Sequence, residues 1–216
     1  MFKRRKNKIA EVSSNSLVVG MLISIEGCIG VGKTTLACNL ARRLSYDCVL
    51  EEYANNPFLS DFYNRPTEYA LQVQTTFLFL QERTMRNACF SDTEKNTIFD
   101  FYPQKSLIFG RMILSKDDLS IVETMFSRLF NNYPLPNLFI YLTADINVLF
   151  QRIRFRDDIF TRSISQKYIR NLVKGYDIFF ESYTGKKLHL NTNHLDLRDA
   201  NSSDMDLVVS EVKKIL

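Results

Sequence analysis

The stretch Gly27-Cys28-Ile29-Gly30-Val31-Gly32-Lys33-Thr34 decides how the chain is read. It fits G-x-x-x-x-G-K-[ST], the P-loop pattern that cradles nucleotide phosphates. Residues 21–25 before it form a short apolar run, which predicts a buried strand. After it, Leu36, Ala37, Leu40, Ala41 and Leu44 fall on one face of a helix. Strand, glycine loop and helix is the context this motif needs. The glycines let successive N–H groups turn inward toward an anion, and the helix N-terminus adds partial positive charge. Lys33 is placed to reach the outer phosphates, and the Thr34 hydroxyl to ligate Mg²⁺. Thr35 continues the anion-binding turn. The motif indicates nucleotide binding and leaves the fate of the nucleotide open.

The 216 residues suit one α/β domain, and an apolar content of 45% is ample for one core. No apolar run reaches the ~18 residues of a membrane span. Lys3, Arg4, Arg5, Lys6 and Lys8 against Glu11 give residues 1–20 a charge of five minus one, or +4. That equals the formal charge of the whole chain, so residues 21–216 are net neutral and lack a nucleic-acid footprint. Residues 1–20 read as a disordered basic extension without the apolar core of a secretory signal. Met21, directly before the first strand, is a second candidate start of translation. Cys28, Cys38, Cys48 and Cys89 match no metal spacing and read as reduced thiols of a cytoplasmic protein.

Residues 46–50 predict a second strand, ending in Glu51 and Glu52. In an open parallel sheet ligands sit beyond the carboxyl ends of strands, so this pair lies beside the loop. A carboxylate there can take a proton from an attacking hydroxyl, or be an ordinary solvated charge. Prolines and asparagines break regular helix over 55–66, and a long helix is expected over 67–88. Its Gln74 and Gln81 stand near apolar Leu71, Phe77 and Leu78, as exposed flank or as readers of a planar polar ligand. Residues 96–99 predict a third strand ending at Asp100, a carboxylate suited to holding Mg²⁺. Helices are expected over 104–114 and 116–130; the second carries a stripe of Leu119, Val122, Met125, Phe126 and Leu129, core or dimer surface. Residues 137–142 form the clearest buried strand, followed by a helix over 145–154. Arg152, Arg154, Arg156 and Arg162 form a cationic segment able to close over a phosphate. A helix over 167–183, a strand over 187–190 and a last helix over 203–216 complete the pattern.

Taken together these motifs resemble the deoxyribonucleoside kinases. Residues 25–35 look like that family's IEGxIGxGKTT signature. Asn56-Pro57-Phe58-Leu59 with Phe62-Tyr63 is similar to the bacterial deoxyadenosine/deoxyguanosine kinase branch. So are Tyr69-Ala70-Leu71, Gln74, Asp100-Phe101, Lys105, Ile108-Phe109, residues 136–142, Arg152-Ile153 and Tyr168. The resemblance covers about residues 22–197. It implies that Glu51 is the general base for the nucleoside 5′-hydroxyl, with Glu52 as the alternative. It implies that Tyr63 binds the sugar 3′-hydroxyl and Gln74 the base edge. ATP and Mg²⁺ would occupy residues 27–35, with Arg152 and Arg156 on the donor side and Asp100 and Thr34 at the metal.

Departures from the family pattern stand out. Gln81 occupies a position where the family usually has Arg. In the lid, near 152–164, Arg156 is kept, whereas Asp157, Asp158 and Thr161 replace Gly, Arg and Glu. The reading is a five-stranded parallel sheet flanked by helices, a three-layer P-loop fold, over 21–216. The expected activity is phosphorylation of a small-molecule deoxynucleoside, a purine by branch resemblance, by a homodimer. One rival is a catalytically weak nucleotide-binding homologue with a regulatory role, suggested by the altered lid. Another is a nucleoside monophosphate kinase, disfavoured by Asn56-Pro57-Phe58-Leu59 and Gln74.

Overall fold

The structure, a computed structural model, describes residues 20–90, 94–156 and 164–216. Residues 1–19 of the expected extension over 1–20, and the lid positions Asp157, Asp158, Thr161 and Arg162, lie outside the described residues.

Strand β1 (Leu22–Gly27) is buried along its whole length and lies in the middle of the sheet. A strand covered on both faces needs an unbroken apolar run, which is why Leu22, Ile23 and Ile25 stand here. Helix α1 (Lys33–Leu44) follows the glycine loop and buries Leu36, Ala37, Leu40 and Ala41. It ends at Ser45 in the left-handed region, φ 57. Strand β2 (Asp47–Val49) forms one edge of the sheet. After it come a 3₁₀ turn (Tyr53–Asn55), α2 (Leu59–Asn64) and the 25-residue α3 (Pro66–Phe90). Then come β3 (Thr97–Phe99), α4 (Lys105–Ile113), α5 (Lys116–Phe130) and β4 (Leu138–Thr143). The chain closes with α6 (Ile146–Arg156), α7 (Gln166–Ser182), β5 (Lys187–Asn191) and α8 (Ser203–Ile215).

The sheet has five strands in the order β2-β3-β1-β4-β5, and every pairing is parallel. Ile23 pairs with Leu138, Ile25 with Ile140, and Leu22 with Thr97. Parallel pairing requires crossovers, and the helices between the strands supply them. Helices α1 and α8 pack together, tied by Arg43, which donates to Ala200 O at 2.7 Å and Asp206 Oδ1 at 2.6 Å. A second group contains α3, α4, α5 and α7. Gly175 of α7 lies so close to α4 that an added Cβ would stand 2.8 Å from Ile108 Cγ2. Serine caps open α5, α7 and α8: Ser115, Ser165 and Ser202 each accept from the backbone N–H three residues on. Among the described residues no helix is long and apolar enough to cross a membrane.

Two local expectations are corrected. The segment 55–66 contains helix α2, because Pro57 and Pro66 flank that helix instead of interrupting it. Pro66 then occupies the first position of α3, where its missing N–H costs nothing. Strand β2 is shorter than 46–50 and starts with two exposed residues. Its chain leaves the sheet after Val49, where Asp100 N donates to Val49 O at 3.1 Å and the Asp100 carboxylate accepts from Glu51 N at 2.6 Å. The expected stripe on α5 serves the core: Val122 is fully buried and Met125, Phe126 and Leu129 pack on α3 and β3 residues.

Candidate active site

The site is built at the carboxyl ends of β1, β2 and β3. Gly27 closes β1 at φ 148, and an added Cβ there would meet Leu142 O at 2.3 Å. Only glycine fits that approach. Gly32 is left-handed and caps α1, with Leu36 N donating to its carbonyl at 3.0 Å. The loop is braced from outside. Val31 O accepts from Arg152 Nη1 at 3.2 Å and from Thr192 Oγ1 at 3.1 Å. Arg152 also donates to Thr192 Oγ1 at 2.8 Å and Thr192 O at 2.6 Å. The expected nucleotide-side arginine is thus held between the loop and the turn after β5.

Lys33 Nζ donates to Gly27 O at 2.8 Å and Cys28 O at 3.3 Å. Burial lowers its pKa, opposed by the nearby Glu26 carboxylate. Burial likewise pushes the Cys28 thiol up to about 12, so it is neutral. Thr34 Oγ1 donates to Asp100 Oδ2 at 2.6 Å. The two expected Mg²⁺ ligands, 66 residues apart, are therefore in contact. Among the described residues no group of three or more His, Cys, Asp or Glu forms a protein-only metal cage. Two oxygen ligands that leave the other positions to phosphate and water suit Mg²⁺.

Glu51 faces inward. Its Oε2 accepts from Lys105 Nζ at 2.5 Å and its Oε1 from Gln81 Nε2 at 2.8 Å. Burial alone would raise its pKa, but the Lys105 charge and these two hydrogen bonds outweigh that and hold it below the usual carboxylate range. The Gln81 oxygen accepts from Ser106 Oγ at 3.2 Å. Gln81 is thus not exposed flank: it is 2% exposed, lines the cavity and makes a hydrogen bond through each end of its amide. Glu52 points to solvent and pairs with Arg83 at 2.5 Å and Asn55 Nδ2 at 2.7 Å. The structure thereby separates the two neighbouring carboxylates by their surroundings.

One cavity of about 840 Å³ joins these parts. Its wall includes Lys33, Glu51, Tyr63, Gln74, Arg156 and Tyr168. It is large enough for a nucleotide-sized ligand. Gln74 is 3% exposed. Arg156, at the end of α6, donates to the Tyr53 hydroxyl, and its guanidinium lies 5.2 Å from the Tyr53 ring centre.

Two charged residues that belong to the resemblance were given no role in the site from sequence. Lys105 follows Asp100 by five positions, and only the placement of α4 brings it to Glu51. Glu26 accepts from Gly27 N at 3.0 Å, Tyr102 N at 2.9 Å and Tyr176 OH at 2.8 Å. Burial raises its pKa. A carboxylate in an otherwise apolar strand was the available signal for it.

The family description Deoxynucleoside kinase matches residues 23–216. The chain belongs to the deoxynucleoside kinase family. It is accordingly a phosphotransferase acting on deoxynucleosides. It is 28% identical over 200 residues to the deoxyguanosine kinase of Bacillus subtilis (strain 168), covering 90% of this chain and 97% of that one. It is 26% identical over 206 residues to the deoxyadenosine/deoxycytidine kinase of the same organism, covering 90% and 93%. The fold is similar to that of deoxyadenosine kinase from M. mycoides with bound dCTP, with a TM-score of 0.76 and 19% identity. That match covers 90% of this chain and 100% of the other.

Proposed function

We propose that the chain transfers the γ-phosphate of ATP, bound with Mg²⁺, to the 5′-hydroxyl of a purine deoxynucleoside. The observation that carries this is a buried, ionised carboxylate, Glu51, facing the same cavity as Lys33 and the Thr34–Asp100 pair. The residues fit the nucleotide: glycines 27, 30 and 32 all have positive φ, leaving a cradle of backbone. Bound ATP–Mg²⁺ supplies a transferable phosphoryl group with part of its charge already neutralised.

Glu51 accepts the 5′-hydroxyl proton as that oxygen bonds to phosphorus and the bond from phosphorus to the leaving oxygen breaks. Gln81 and Lys105 hold the carboxylate in orientation. Lys33 exchanges its loop carbonyls for phosphate oxygens, and Arg156 exchanges Tyr53 for developing charge. Tyr63 takes the sugar and Gln74 the base edge. Purine preference is supported by the names of relatives such as the Bacillus deoxyguanosine kinase. We further infer a domain over 21–216 with a lid near 152–164, homodimeric association and a cytoplasmic setting, the last supported by four free cysteines.

The test is ATP consumption by the purified protein with each of the four deoxynucleosides, with Lys33→Ala as control. Turnover fastest with deoxyguanosine or deoxyadenosine, and lost in the control, is expected. A pyrimidine turned over faster would overturn the purine assignment.

A further inference from the structure

Three buried side-chain polar atoms have no hydrogen-bond partner among the described residues: Gln104 Oε1, Tyr183 OH and Tyr168 OH. Of their residues, Tyr168 is the one that lines the cavity. A hydroxyl shut away from water without a partner is unfavourable. Such a group calls for a partner, and in a ligand cavity a water in the empty site or a ligand atom in the filled one supplies it.

Its position narrows the choice of atom. Tyr168 sits in the first turn of α7, where its own N–H donates to the Ser165 cap at 3.2 Å. Neighbouring Ile169 and Leu172 are fully buried, so the turn cannot swing away without opening the core. Tyr63 of α2 lines the same cavity, and Tyr168 packs against the core group that contains Cys28 of the glycine loop. The phenol thus opens into a cavity walled by both α2 and the phosphate-binding loop. Glu51 occupies the 5′ end, and Gln74 on α3 faces the base side. What spans these two is the sugar. Apart from its 5′ end, a 2′-deoxyribose offers one hydroxyl, at the 3′ carbon. A neutral phenol, both donor and acceptor, matches a hydroxyl better than a phosphate.

We propose that Tyr168 is a substrate-binding residue whose hydroxyl hydrogen-bonds the 3′-hydroxyl of the deoxynucleoside, beside Tyr63. This rests on the reading of the cavity as a deoxynucleoside site. It makes the chain demand a 3′-hydroxyl through two phenols, on two different helices.

The test is calorimetric binding to wild type, Tyr168→Phe and Tyr63→Phe. The ligands are the tightest of the four deoxynucleosides and its 2′,3′-dideoxy counterpart. Tyr168→Phe is expected to weaken the deoxynucleoside about tenfold and to leave the dideoxy compound nearly unchanged. The melting temperature of the unliganded variant should equal or exceed that of wild type, because an unpartnered buried hydroxyl has been removed. Equal affinities in wild type and Tyr168→Phe would overturn the proposal. So would equal losses for both ligands, which mean packing alone, or a clear fall in melting temperature without ligand, which means an internal partner. If Tyr63→Phe alone erases the preference, the Tyr168 assignment fails while the site reading stands. A wild-type chain that binds none of the four deoxynucleosides overturns the site reading, and the assignment with it.

Discussion

Lys105 Nζ stands 2.5 Å from Glu51 Oε2, with the two side chains only 14% and 13% exposed. Two charges held this far from water depend on each other. Lys105→Met leaves Glu51 buried without its counter-charge, and a loss of about 3–5 kcal/mol of stability is expected. Adding Glu51→Gln to that variant should return part of the loss. Denaturant melts of wild type, both single variants and the double variant measure this coupling. A coupling near zero would mean that the pair is solvated in solution.

The same pair sets a pH window. Glu51 is held below its ordinary 4.5, so its contribution is full above 4.5 and is lost as pH falls through the folded value. Lys105 is raised above its ordinary 10.5, chiefly by Glu51 and Glu26 against the effect of burial. Its contribution is full below 10.5 and is lost as pH rises through the folded value. Glu26, raised by burial, acts the other way, favouring the fold below 4.5 and less so above. The stability difference between wild type and Lys105→Met reads the lysine's interactions with Glu51 and Glu26 together. It should be largest where all three groups are charged and shrink at both extremes of pH.

Gln81 and Gln74 should separate cleanly in kinetics. The Gln81 amide orients Glu51 and accepts from Ser106, so Gln81→Leu is expected to lower kcat about tenfold with little change in the nucleoside KM. Gln74→Leu should chiefly raise that KM. Steady-state rates over a range of deoxynucleoside concentrations check this, and a matching KM rise in both variants would contradict it.

Asp100 joins Thr34 to the Glu51 backbone, with contacts of 2.6 Å on both sides. Asp100→Asn keeps the shape and removes the charge. Turnover should drop by about 100-fold or more, and the Mg²⁺ concentration giving half-maximal rate should rise. Chelation of divalent cations should stop the wild-type reaction, and added Mg²⁺ should restore it.

Gly30 adopts φ 82, and a Cβ there would lie 2.8 Å from Ile153 Cγ1 and 3.0 Å from Leu149 O. Gly30→Ala is therefore expected to destabilise the chain by about 1–3 kcal/mol and weaken ATP binding. Thermal melts with and without ATP read both effects.

Most of the architecture was legible because local patterns and burial agree. Residues 22–25 and 138–142 are largely apolar runs that suit a doubly covered strand, and the glycine loop after the first of them commits the chain to a turn and a helix. The site was legible where chemistry is local, as in Lys33 and Thr34, or where a strand end delivers it, as at Asp100 and Glu51. It was not legible where two helices meet. Nothing in the spacing of Gln81, Lys105 and Ser106 announces that α3 and α4 cross over Glu51. The resemblance had already put Glu51 ahead of Glu52, and the turn after β2 gives the two different surroundings, sending one carboxylate inward and the other toward Arg83.

The two outer strands of the sheet bear on how the molecule behaves in a crowded solution. Strand β2 offers only three residues, two of them exposed, with Asp47 paired to Lys95 at 3.3 Å. On the opposite border Lys187 opens β5 and reaches back to Phe180 O at 2.8 Å. Short, charged borders give an incoming strand little backbone to zip onto. Copies of this chain are thereby discouraged from extending one another's sheet into fibres.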